Sequence, residues 1–257
     1  MDSQNTLSSL NPLNQISTVS AWSEAWEILS QRFQLNLSDI QKNKIESFYL
    51  LLREANQLMN LTKLDSLPDF LTFHLIDTAM LINLIRQMEL SKQIKYLDLG
   101  SGCGVPGILL HVFLMSDFEI HTTLCESRLK RADYLKKVIS SLSLEKEIKV
   151  EAERSESLLG LNLPRSKQTK TNKLKANKFQ NNFDLVTARA FAKPIETLKI
   201  ANLFLNSSGG FLSQTSTCLV EDNQYQQTLM AFDLEIKMEE EFELADKKRF
   251  VALIQNS

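Results

Sequence analysis

A cluster of glycines near the middle of the chain is the feature best suited to binding a ligand. Four of the seven glycines fall within eight residues, at Gly100, Gly102, Gly104 and Gly107, and Asp98 precedes them. A ligand can approach the backbone closely only where no Cβ intervenes, and tight bends need the φ angles that glycine adopts. Four glycines are more than a turn alone requires. The cluster therefore predicts a ligand held against bare backbone.

Two classes of ligand fit this spacing. Gly102, Gly104 and Gly107 match the dinucleotide fingerprint, in which a helix N-terminus holds pyrophosphate, as in nicotinamide-dependent oxidoreductases. The longer pattern, in which Asp98 precedes three glycines at alternate positions, resembles motif I of the S-adenosylmethionine-dependent methyltransferases. A sulfonium ligand needs anionic surroundings and a carboxylate for its ribose hydroxyls. Glu126, at the end of the next predicted strand, has the right type and place for the ribose.

A glycine cluster of this kind requires that a strand end near Asp98 and that a helix begin near Pro106. Proline suits the first turn of a helix. The predicted strands are 94–99, 120–125, 147–151, 183–187, 209–213, 234–240 and 249–255, and the predicted helices are 108–115, 127–142, 194–205 and 222–232. Strands that alternate with helices imply a mostly parallel sheet. Only a short turn at 245–247 separates the last two strands, which should be antiparallel. We expect an α/β, Rossmann-like sheet with an antiparallel last strand.

The first ninety residues carry helical patterns and precede this sheet. Residues 1–18 are rich in Ser, Asn and Gln and predict a mobile tail. Residues 19–90 predict a helical cap, with a capping box at Ser38 and Gln41 ahead of a helix over 39–59. A second helix is expected to start near residue 66.

The remaining residues, 91–257, are expected to form the methyltransferase-like domain. Its segment 161–182 has few apolar residues and no clear periodicity. A structureless connection of this length is uncommon inside a compact domain. We therefore expect an inserted, flexible, basic loop there.

The composition excludes several classes of protein. Apolar residues are 43% and charged residues 23% of the chain, which is ordinary for a globular protein and excludes disorder throughout. The longest apolar stretch, 105–115, is too short to cross a membrane, and no secretory signal is apparent at the start. Cys103, Cys125 and Cys218 are far apart and form no CxxC pair. We expect no disulfide framework, no metal and a cytoplasmic location.

Positive charge is collected in the middle of the chain. The net charge is -2, yet residues 160–183 hold six basic residues and no acid, and residues 125–137 hold five basic residues against two acids. Phosphate contacts give a protein sequence-independent affinity for RNA. The basic loop and one basic helix are therefore the candidates for contact with RNA, and a solvated helix face and a disordered loop are the alternatives. The candidate residues on that helix are Arg128, Lys130, Arg131, Lys136 and Lys137.

Several short motifs, in the same order along the chain, resemble the bacterial small-subunit rRNA guanine-N7 methyltransferases, the glucose-inhibited division protein B family. They are Asn60-Leu61-Thr62, His74-Leu75-Ile76-Asp77-Thr78, the loop from Gly100 to Gly107, Glu126-Ser127-Arg128-Leu129-Lys130-Arg131, Arg154-Ser155-Glu156 and Ala188-Arg189-Ala190-Phe191-Ala192. The resemblance covers about residues 45–215. The Pro-Gly step in the glycine loop and the Arg-Ala-Phe-Ala segment are its most specific parts.

The resemblance implies transfer of a methyl group from S-adenosylmethionine to N7 of a guanine in 16S rRNA. Guanine N7 carries a lone pair and no proton, so catalysis should rest on in-line positioning and electrostatics, without a general base. The side chain of Arg189 is the one candidate for a direct role. The implied cofactor pocket comprises Asp98, Gly100, Ser101, Gly102, Gly104, Val105, Glu126, Ser127, Arg128, Ser155, Glu156 and Arg189. The family's acid at position 126 is usually Asp, one methylene shorter than glutamate.

His74 and Asp77 lie one helical turn apart and should face the same way. Two interpretations stay open for them. They either form a hydrogen-bonding pair that joins the helical cap to the sheet, or belong to a lid that contacts cofactor or guanine.

The expected partner is small-subunit rRNA or a ribosomal particle, modified by a monomer that needs no membrane. Three other functions stay open: a methyltransferase of another substrate that shares only the cofactor half, the nicotinamide-dependent oxidoreductase, and a non-catalytic RNA-binding module. Equilibrium binding of the two cofactors separates the oxidoreductase from the methyltransferases. Transfer of a labelled methyl group to rRNA separates the enzyme from the binding module.

Overall fold

The computed structural model describes residues 18–160 and 178–257. The helices are α1 (Thr18–Phe33), α2 (Asp39–Met59), α3 (Leu67–Phe70), α4 (Asp77–Ile85), α5 (Gly107–Leu114), α6 (Leu129–Ser141), α7 (Ser155–Leu158), α8 (Pro194–Asn202) and α9 (Asn223–Ala231), and Leu71–Ile76 is π-helical. The strands are β1 (Gln93–Leu99), β2 (Glu119–Cys125), β3 (Ile148–Glu151), β4 (Phe183–Arg189), β5 (Leu205–Thr215), β6 (Leu234–Leu244) and β7 (Lys247–Asn256).

The strands form a seven-stranded sheet in the order β3-β2-β1-β4-β5-β7-β6. The first five of these are parallel to one another, and β7 is antiparallel to both of its neighbours. This confirms the predicted α/β, Rossmann-like sheet with an antiparallel last strand. The strand order reverses between β1 and β4, and open sheets bind ligands outside the carboxyl ends of the strands at such a point.

The register brings the ends of three strands level with one another. Leu99 of β1 pairs with Cys125 of β2 on one side and with Ala188 of β4 on the other. The glycine loop that follows β1 therefore leaves the sheet beside Glu126, which follows β2, and beside Arg189, the last residue of β4. Three of the predicted site segments thus meet at one edge.

The N-terminal helices pack on one face of the sheet and share its core. Ser38 caps α2 and accepts the backbone N–H of Gln41, as the capping box predicted. The side-chain amide of Gln41 donates to the carbonyl of Val112 in α5 at 2.7 Å. The rings of Phe48 and Phe70 meet with centroids 6.0 Å apart. The cap is therefore fixed to the helix that follows the glycine loop.

The helix after Ser66 differs from the prediction in its middle. Ser66 caps α3, but the following residues, Leu71–Ile76, are π-helical before ordinary α-helix resumes in α4. Turns of this kind are rare and occur frequently at functional sites. This one carries Phe73 and His74 and ends next to Asp77, the three residues that meet the end of β4.

Some predicted element ends are wrong in the C-terminal part of the fold. Helix α8 ends at Asn202 rather than 205, because β5 begins at Leu205 and is longer than its predicted core. Strands β6 and β7 are joined by a two-residue turn, Ala245 and Asp246, with φ of 45° and 61°. Two positive φ angles are characteristic of the type I′ turn, which matches the twist of a hairpin.

Two predicted segments fall largely outside the described residues: the tail at 1–18, of which only Thr18 is included, and the basic loop at 161–182. The described end of that loop packs against the sheet, because Phe179 is buried and its ring stacks on Phe183 with centroids 6.3 Å apart. Within residues 18–160 and 178–257, no helix combines the length and apolar character needed to cross a bilayer.

Candidate active site

The glycine loop between β1 and α5 is held to the end of β2 through its own backbone. The N–H groups of Gly100 and Ser101 both donate to the carbonyl of Cys125, at 2.9 and 3.0 Å. The N–H of Gly102 donates to Glu126 Oε2 at 3.0 Å. The loop is thus fixed in one conformation by groups of the neighbouring strand.

The conformation of the loop explains its glycines. Gly100, Gly102 and Gly104 have φ of 69°, 54° and 95°, a region that L side chains adopt only with strain. A Cβ on Gly104 would come within 2.8 Å of Ile108 Cδ1, so this glycine allows close packing. A Cβ on Gly102 would meet nothing nearer than 3.6 Å, so the space beside it is open to a ligand.

Glu126 organises the turn between β2 and α6. It is only 5% exposed, and its Oε1 accepts the backbone N–H of Arg128 at 2.8 Å while its Oε2 accepts that of Gly102. Arg128 is extended, so α6 begins at Leu129 and not at the predicted Ser127, which is exposed. Each carboxylate oxygen can accept two hydrogen bonds. Glu126 therefore retains acceptor capacity for ribose hydroxyls beside the loop.

Asp98 lies beneath the glycine loop. It is 1% exposed, and its Oδ1 accepts the hydroxyl of Thr187 at 2.7 Å. Thr187 in turn accepts the hydroxyl of Tyr96 at 2.7 Å, and the Asp98 carbonyl accepts that of Ser101 at 3.0 Å. Burial raises the pKa of Asp98 to about 6, against the lowering effect of its hydrogen bonds. Asp98 therefore supports the glycine loop from the side of the sheet.

The same carboxylate argues against a dinucleotide at this loop. A Cβ on Gly107, the first residue of α5, would lie 2.6 Å from Asp98 Oδ2, so the carboxylate stands at the helix N-terminus. A pyrophosphate would need that position and would be repelled by the negative charge. The literal dinucleotide fingerprint therefore has no phosphate site here.

Negative charge surrounds the end of β2, as a sulfonium ligand requires. Burial and, after it, the nearby carboxylates of Asp98, Glu126, Glu151 and Glu156 raise the pKa of the Cys125 thiol to about 12. A field that disfavours a thiolate favours a cation at the same place. Together with the open space beside the loop, these acids fit S-adenosylmethionine.

The structure gives less direct support for a cofactor contact at two other predicted residues, Ser155 and Val105. Ser155 begins α7 after β3, is 2% exposed, and donates its hydroxyl to Glu156 Oε2 at 3.0 Å. Val105 is 5% exposed and packs in the core shared by the cap and the sheet. The structure therefore brings together the glycine loop, Glu126 and Arg128 most closely.

Arg189 reaches the helical cap. Its Nη1 donates to the Phe73 carbonyl at 2.8 Å and to Asp77 Oδ2 at 3.0 Å, and its Nη2 lies 3.0 Å from His74 Nδ1. All three partners lie in or directly after the π-helical segment. The contacts support the interpretation in which His74 and Asp77 join the cap to the sheet, with Arg189 between them.

The contacts also fix the tautomer of His74. A guanidinium only donates, so His74 Nδ1 must accept from Arg189, and Nε2 carries the proton and donates to the Leu64 carbonyl at 3.1 Å. Burial, aided by the charge of Arg189, lowers the pKa of His74 to about 3. Burial raises the pKa of Asp77, while Arg189 and Arg249 act in the opposite direction. His74 is therefore neutral at pH 7.

A pocket of about 450 Å³ opens at the carboxyl ends of β4 and β5. Its walls include the residues Leu64, Phe73, Asp77, Ala188, Arg189, Ala190, Phe191, Ala192, Pro194, Thr197, Ser213, Gln214, Thr215, Ser216, Thr217, Arg249 and Phe250. Phe191 connects this pocket to the glycine loop, because a Cβ on Gly100 would lie 2.6 Å from its Cδ2. The two sites therefore share one wall.

The contribution of β7 to this pocket was not predicted from the sequence. Arg249 and Phe250 line it because Phe250 pairs with Thr215 at the end of β5. Phe73 was also missed, and the ammonium of Lys247 lies 5.4 Å from the centre of its ring. The predicted antiparallel direction of β7 was the available signal, since it places the start of β7 beside the end of β5.

The predicted RNA-binding residues lie together on and just before α6. Arg128, Lys130, Lys136 and Lys137 are exposed, and Lys136 pairs with Asp133 at 3.4 Å. Arg131 is half-buried and faces the loop, with its Nη1 3.8 Å from where a Cβ on Gly102 would lie. The basic helix therefore starts at the edge of the candidate cofactor site. In the part of the chain that the structure describes, no three acidic, histidine or cysteine side chains are grouped as metal ligands.

Comparison with known proteins agrees with this geometry. The family model for rRNA small subunit methyltransferase G matches residues 41–249. The ribosomal RNA small subunit methyltransferase G of Prochlorococcus marinus (strain NATL1A) is 32% identical over 209 residues, which cover 80% of this chain and 76% of that protein. The protein of the same description from Dictyoglomus thermophilum is 30% identical over 182 residues, covering 71% and 67%.

Among solved structures, the METTL16 methyltransferase domain matches with a TM-score of 0.51 and 14% identity, covering 92% of this chain and 79% of that one. At this identity the match concerns the fold alone. The family match extends over most of the chain and includes the loop, the basic helix and all of the pocket walls except Phe250. The chain therefore belongs to the rRNA small subunit methyltransferase G family, whose members are S-adenosylmethionine-dependent enzymes acting on small-subunit rRNA.

Proposed function

We propose that the pocket at the ends of β4 and β5 receives the target guanine of 16S rRNA, and that its N7 is methylated there. The observation that carries this is the position of Phe191, which lines the pocket and lies against Gly100 of the loop. A base in the pocket and a methyl donor on the loop would both contact this side chain and would therefore lie next to each other, as in-line transfer requires. A volume of about 450 Å³ is within the range of small-ligand sites.

The proposed donor site uses the residues that meet at the end of β2. The N–H groups of Gly100, Ser101 and Gly102 already donate to Cys125 and Glu126 at the end of β2. The part of the loop left for the donor is therefore the open space beside Gly102. Glu126 would hold the ribose hydroxyls, and Glu156 adds to the negative field. When bound, S-adenosylmethionine supplies a methyl group on a positively charged sulfur.

The chain's own part in the reaction is positioning. Guanine N7 has a free lone pair, so no side chain needs to remove a proton. Phe73, Phe191 and Phe250 can enclose a planar base and exclude water from it. Arg189 acts as a positioning residue, because its guanidinium is bonded to the cap.

The test is transfer of a labelled methyl group to small-subunit rRNA, followed by mapping of the modified nucleotide. We expect one guanine to be labelled and no labelling of rRNA in which that guanine is replaced by 7-deazaguanine, which lacks N7. Labelling of the deaza substrate would contradict N7 as the acceptor. Absence of any labelling, with naked 16S rRNA and with the small ribosomal particle, would contradict the proposed function.

We further propose that the protein acts in the cytoplasm, where small ribosomal subunits are assembled, and that it acts as a monomer. A single chain supplies the loop, the basic helix and every wall of the pocket, so the site needs no second subunit. Light scattering of the active protein at assay concentration tests this, and a stable dimer would contradict it.

A further inference from the structure

We propose that a lysine-lined face of the sheet, at the N-terminal halves of β1, β2 and β3, is a second contact for the phosphate backbone of the rRNA. We call it the lysine face and define it by Lys95, His121, Lys146, Lys149 and Lys178. The inference rests on rRNA being the substrate, but it concerns residues outside the donor site, the pocket and α6.

The strand register places the central residues of the lysine face side by side. Lys95 of β1 pairs with His121 of β2, and Thr123 of β2 pairs with Lys149 of β3. Because side chains alternate along a strand, these residues all point to the same side of the sheet. Lys95 and Lys149 lie two strands apart, so their Cα atoms are roughly 10 Å apart across the sheet.

This side of the sheet is unusual for a parallel sheet. Such sheets are normally covered by helices on both faces, and their strands are apolar on both sides. Further along β1, Leu97 and Leu99 point the same way as Lys95 and are fully buried in a core. Lys95, His121 and Lys149 are instead exposed. The same face thus changes from an apolar core to a cationic surface within one strand.

The exposed part forms a groove and not a flat surface. Two adjoining cavities of about 200 and 290 Å³ share Lys95 and His121 in their walls. The net charge of the first cavity is positive, because its walls hold four lysines and two glutamates. These are Lys95, Lys146, Lys149 and Lys178, and Glu147 and Glu151. Asp184 in the second cavity is already bonded to the Lys95 backbone N–H at 2.7 Å and to Asn206 at 2.7 Å.

The lysines are available to an external anion. The ammonium of Lys95 donates to Asn182 Oδ1 at 2.8 Å, and Lys178 lies over the ring of Phe179. Within the described ranges, Lys146 and Lys149 make no ion pair with a carboxylate. The groove is thus lined by a row of exposed lysines, which suits a run of phosphates better than a cationic partner.

The charge of the neighbouring chain segment favours RNA, and not the chain's own residues, as the ligand of this groove. The segment 161–177, which is joined directly to Lys178, holds five basic residues and no acid in its sequence. A positively charged segment cannot neutralise a positively charged groove. An RNA phosphate backbone neutralises both.

The test replaces Lys95, Lys146 and Lys149 together by glutamine and measures binding of a 16S rRNA transcript at several salt concentrations. The control replaces Lys199, Lys237 and Lys248, which are also exposed, so that the same charge is removed elsewhere; Lys237 and Lys248 pair with Glu235 and Glu241. We expect the slope of log affinity against log salt to become shallower by about 2 in the test variant, because each phosphate contact contributes about 0.7 to 0.9.

Kinetics distinguish this role from damage to the active site. We expect the KM for rRNA to rise roughly tenfold in the test variant, with kcat at saturating rRNA and the affinity for S-adenosylmethionine unchanged. A salt slope equal to that of the control variant would overturn the proposal. Failure of the wild-type protein to methylate rRNA would instead contradict the proposed function, and the binding comparison would still decide the role of the lysine face.

Discussion

Arg189 and Asp77 are 112 residues apart in the chain, and their Nη1 and Oδ2 atoms are 3.0 Å apart in the fold. The pair joins the last residue of β4 to the first residue of α4, directly after the π-helical segment. Asp77 is nearly buried, with 7% of its side chain exposed, and Arg189 also holds His74. The guanidinium of Arg189 therefore holds the π-helical part of the cap at the end of β4.

The first prediction concerns this pair. Asp77→Asn should lower the free energy of unfolding by about 3 kcal/mol, because it leaves a largely buried guanidinium without its counter-ion. Urea denaturation of the wild-type and variant proteins measures the difference. The control is Lys248→Gln, which breaks an exposed pair with Glu241 and should leave the free energy of unfolding nearly unchanged. Equal losses in the two variants would contradict a structural role for the pair.

Arg189→Lys separates the charge of Arg189 from its geometry. A lysine keeps the positive charge beside Asp77, but its single ammonium lacks the planar fork that reaches Phe73, Asp77 and His74 at once. We expect this variant to be destabilised nearly as much as Asp77→Asn. Full stability in Arg189→Lys would show that charge alone holds the cap.

The edge of the sheet that holds the loop was predictable because its determinants are local. Alternating strand and helix patterns fix the parallel sheet, and the glycines at 100, 102 and 104 mark the bend after β1. The predicted proximity of the loop to Glu126 follows from the carboxyl ends of neighbouring parallel strands. Such rules require no knowledge of side-chain packing, and the structure confirms them.

The contacts of Arg189 could not be predicted from the sequence. Nothing in the pattern after Ser66 distinguishes a π turn from ordinary helix, because both place apolar residues on the inner face. The π turn decides which side chains meet β4. The same holds for Arg249, whose place in the pocket depends on the pairing of β7 with β5. Tertiary pairing, and not local preference, determines this half of the site.

A second prediction concerns Glu126. Glu126→Gln keeps the size of the side chain but replaces one acceptor oxygen by an NH2 group, so either Gly102 or Arg128 loses its hydrogen bond. Loss of a charge-assisted hydrogen bond is worth about 1.5 to 3 kcal/mol. We expect the Kd for S-adenosylmethionine, measured by calorimetry, to rise roughly tenfold to a hundredfold.

Glu126→Asp is the informative companion, because aspartate keeps the charge but is one methylene shorter. If the carboxylate mainly supports the loop, the shorter chain cannot reach both N–H groups, and affinity falls as in Glu126→Gln. If it mainly binds the ribose, affinity is largely retained. Wild-type affinity in both variants would contradict the placement of the donor beside Glu126.

A third prediction uses the open space beside Gly102. Gly102→Ala and Gly102→Val both force a side chain into a backbone with φ of 54°, so they share the conformational strain. They differ in the volume that projects into the proposed ligand site. We expect Gly102→Val to abolish binding of S-adenosylmethionine and Gly102→Ala to weaken it. Equal affinities of folded Ala and Val variants would show that this space is not occupied by the ligand.

The last prediction concerns His111, a buried histidine far from the proposed chemistry. Its Nδ1 lies 2.8 Å from Thr122 Oγ1, and burial lowers its pKa to about 4. Because the folded pKa lies below the unfolded value of about 6.5, the unfolded chain gains a proton first as the pH falls. His111 should therefore cost about 3 kcal/mol of stability between pH 6.5 and pH 4.

His111→Gln tests this, because glutamine keeps a donor and an acceptor and does not titrate in this range. Unfolding free energies from pH 7 to pH 4 should fall less steeply in the variant than in the wild-type protein. His74, with a pKa of about 3, contributes in the same direction, and Asp98, with a pKa of about 6, in the opposite one, but both remain in the variant and cancel in the comparison. Parallel pH profiles would mean that His111 is protonated in the folded protein, with an unrecognised partner in place of its apolar surroundings.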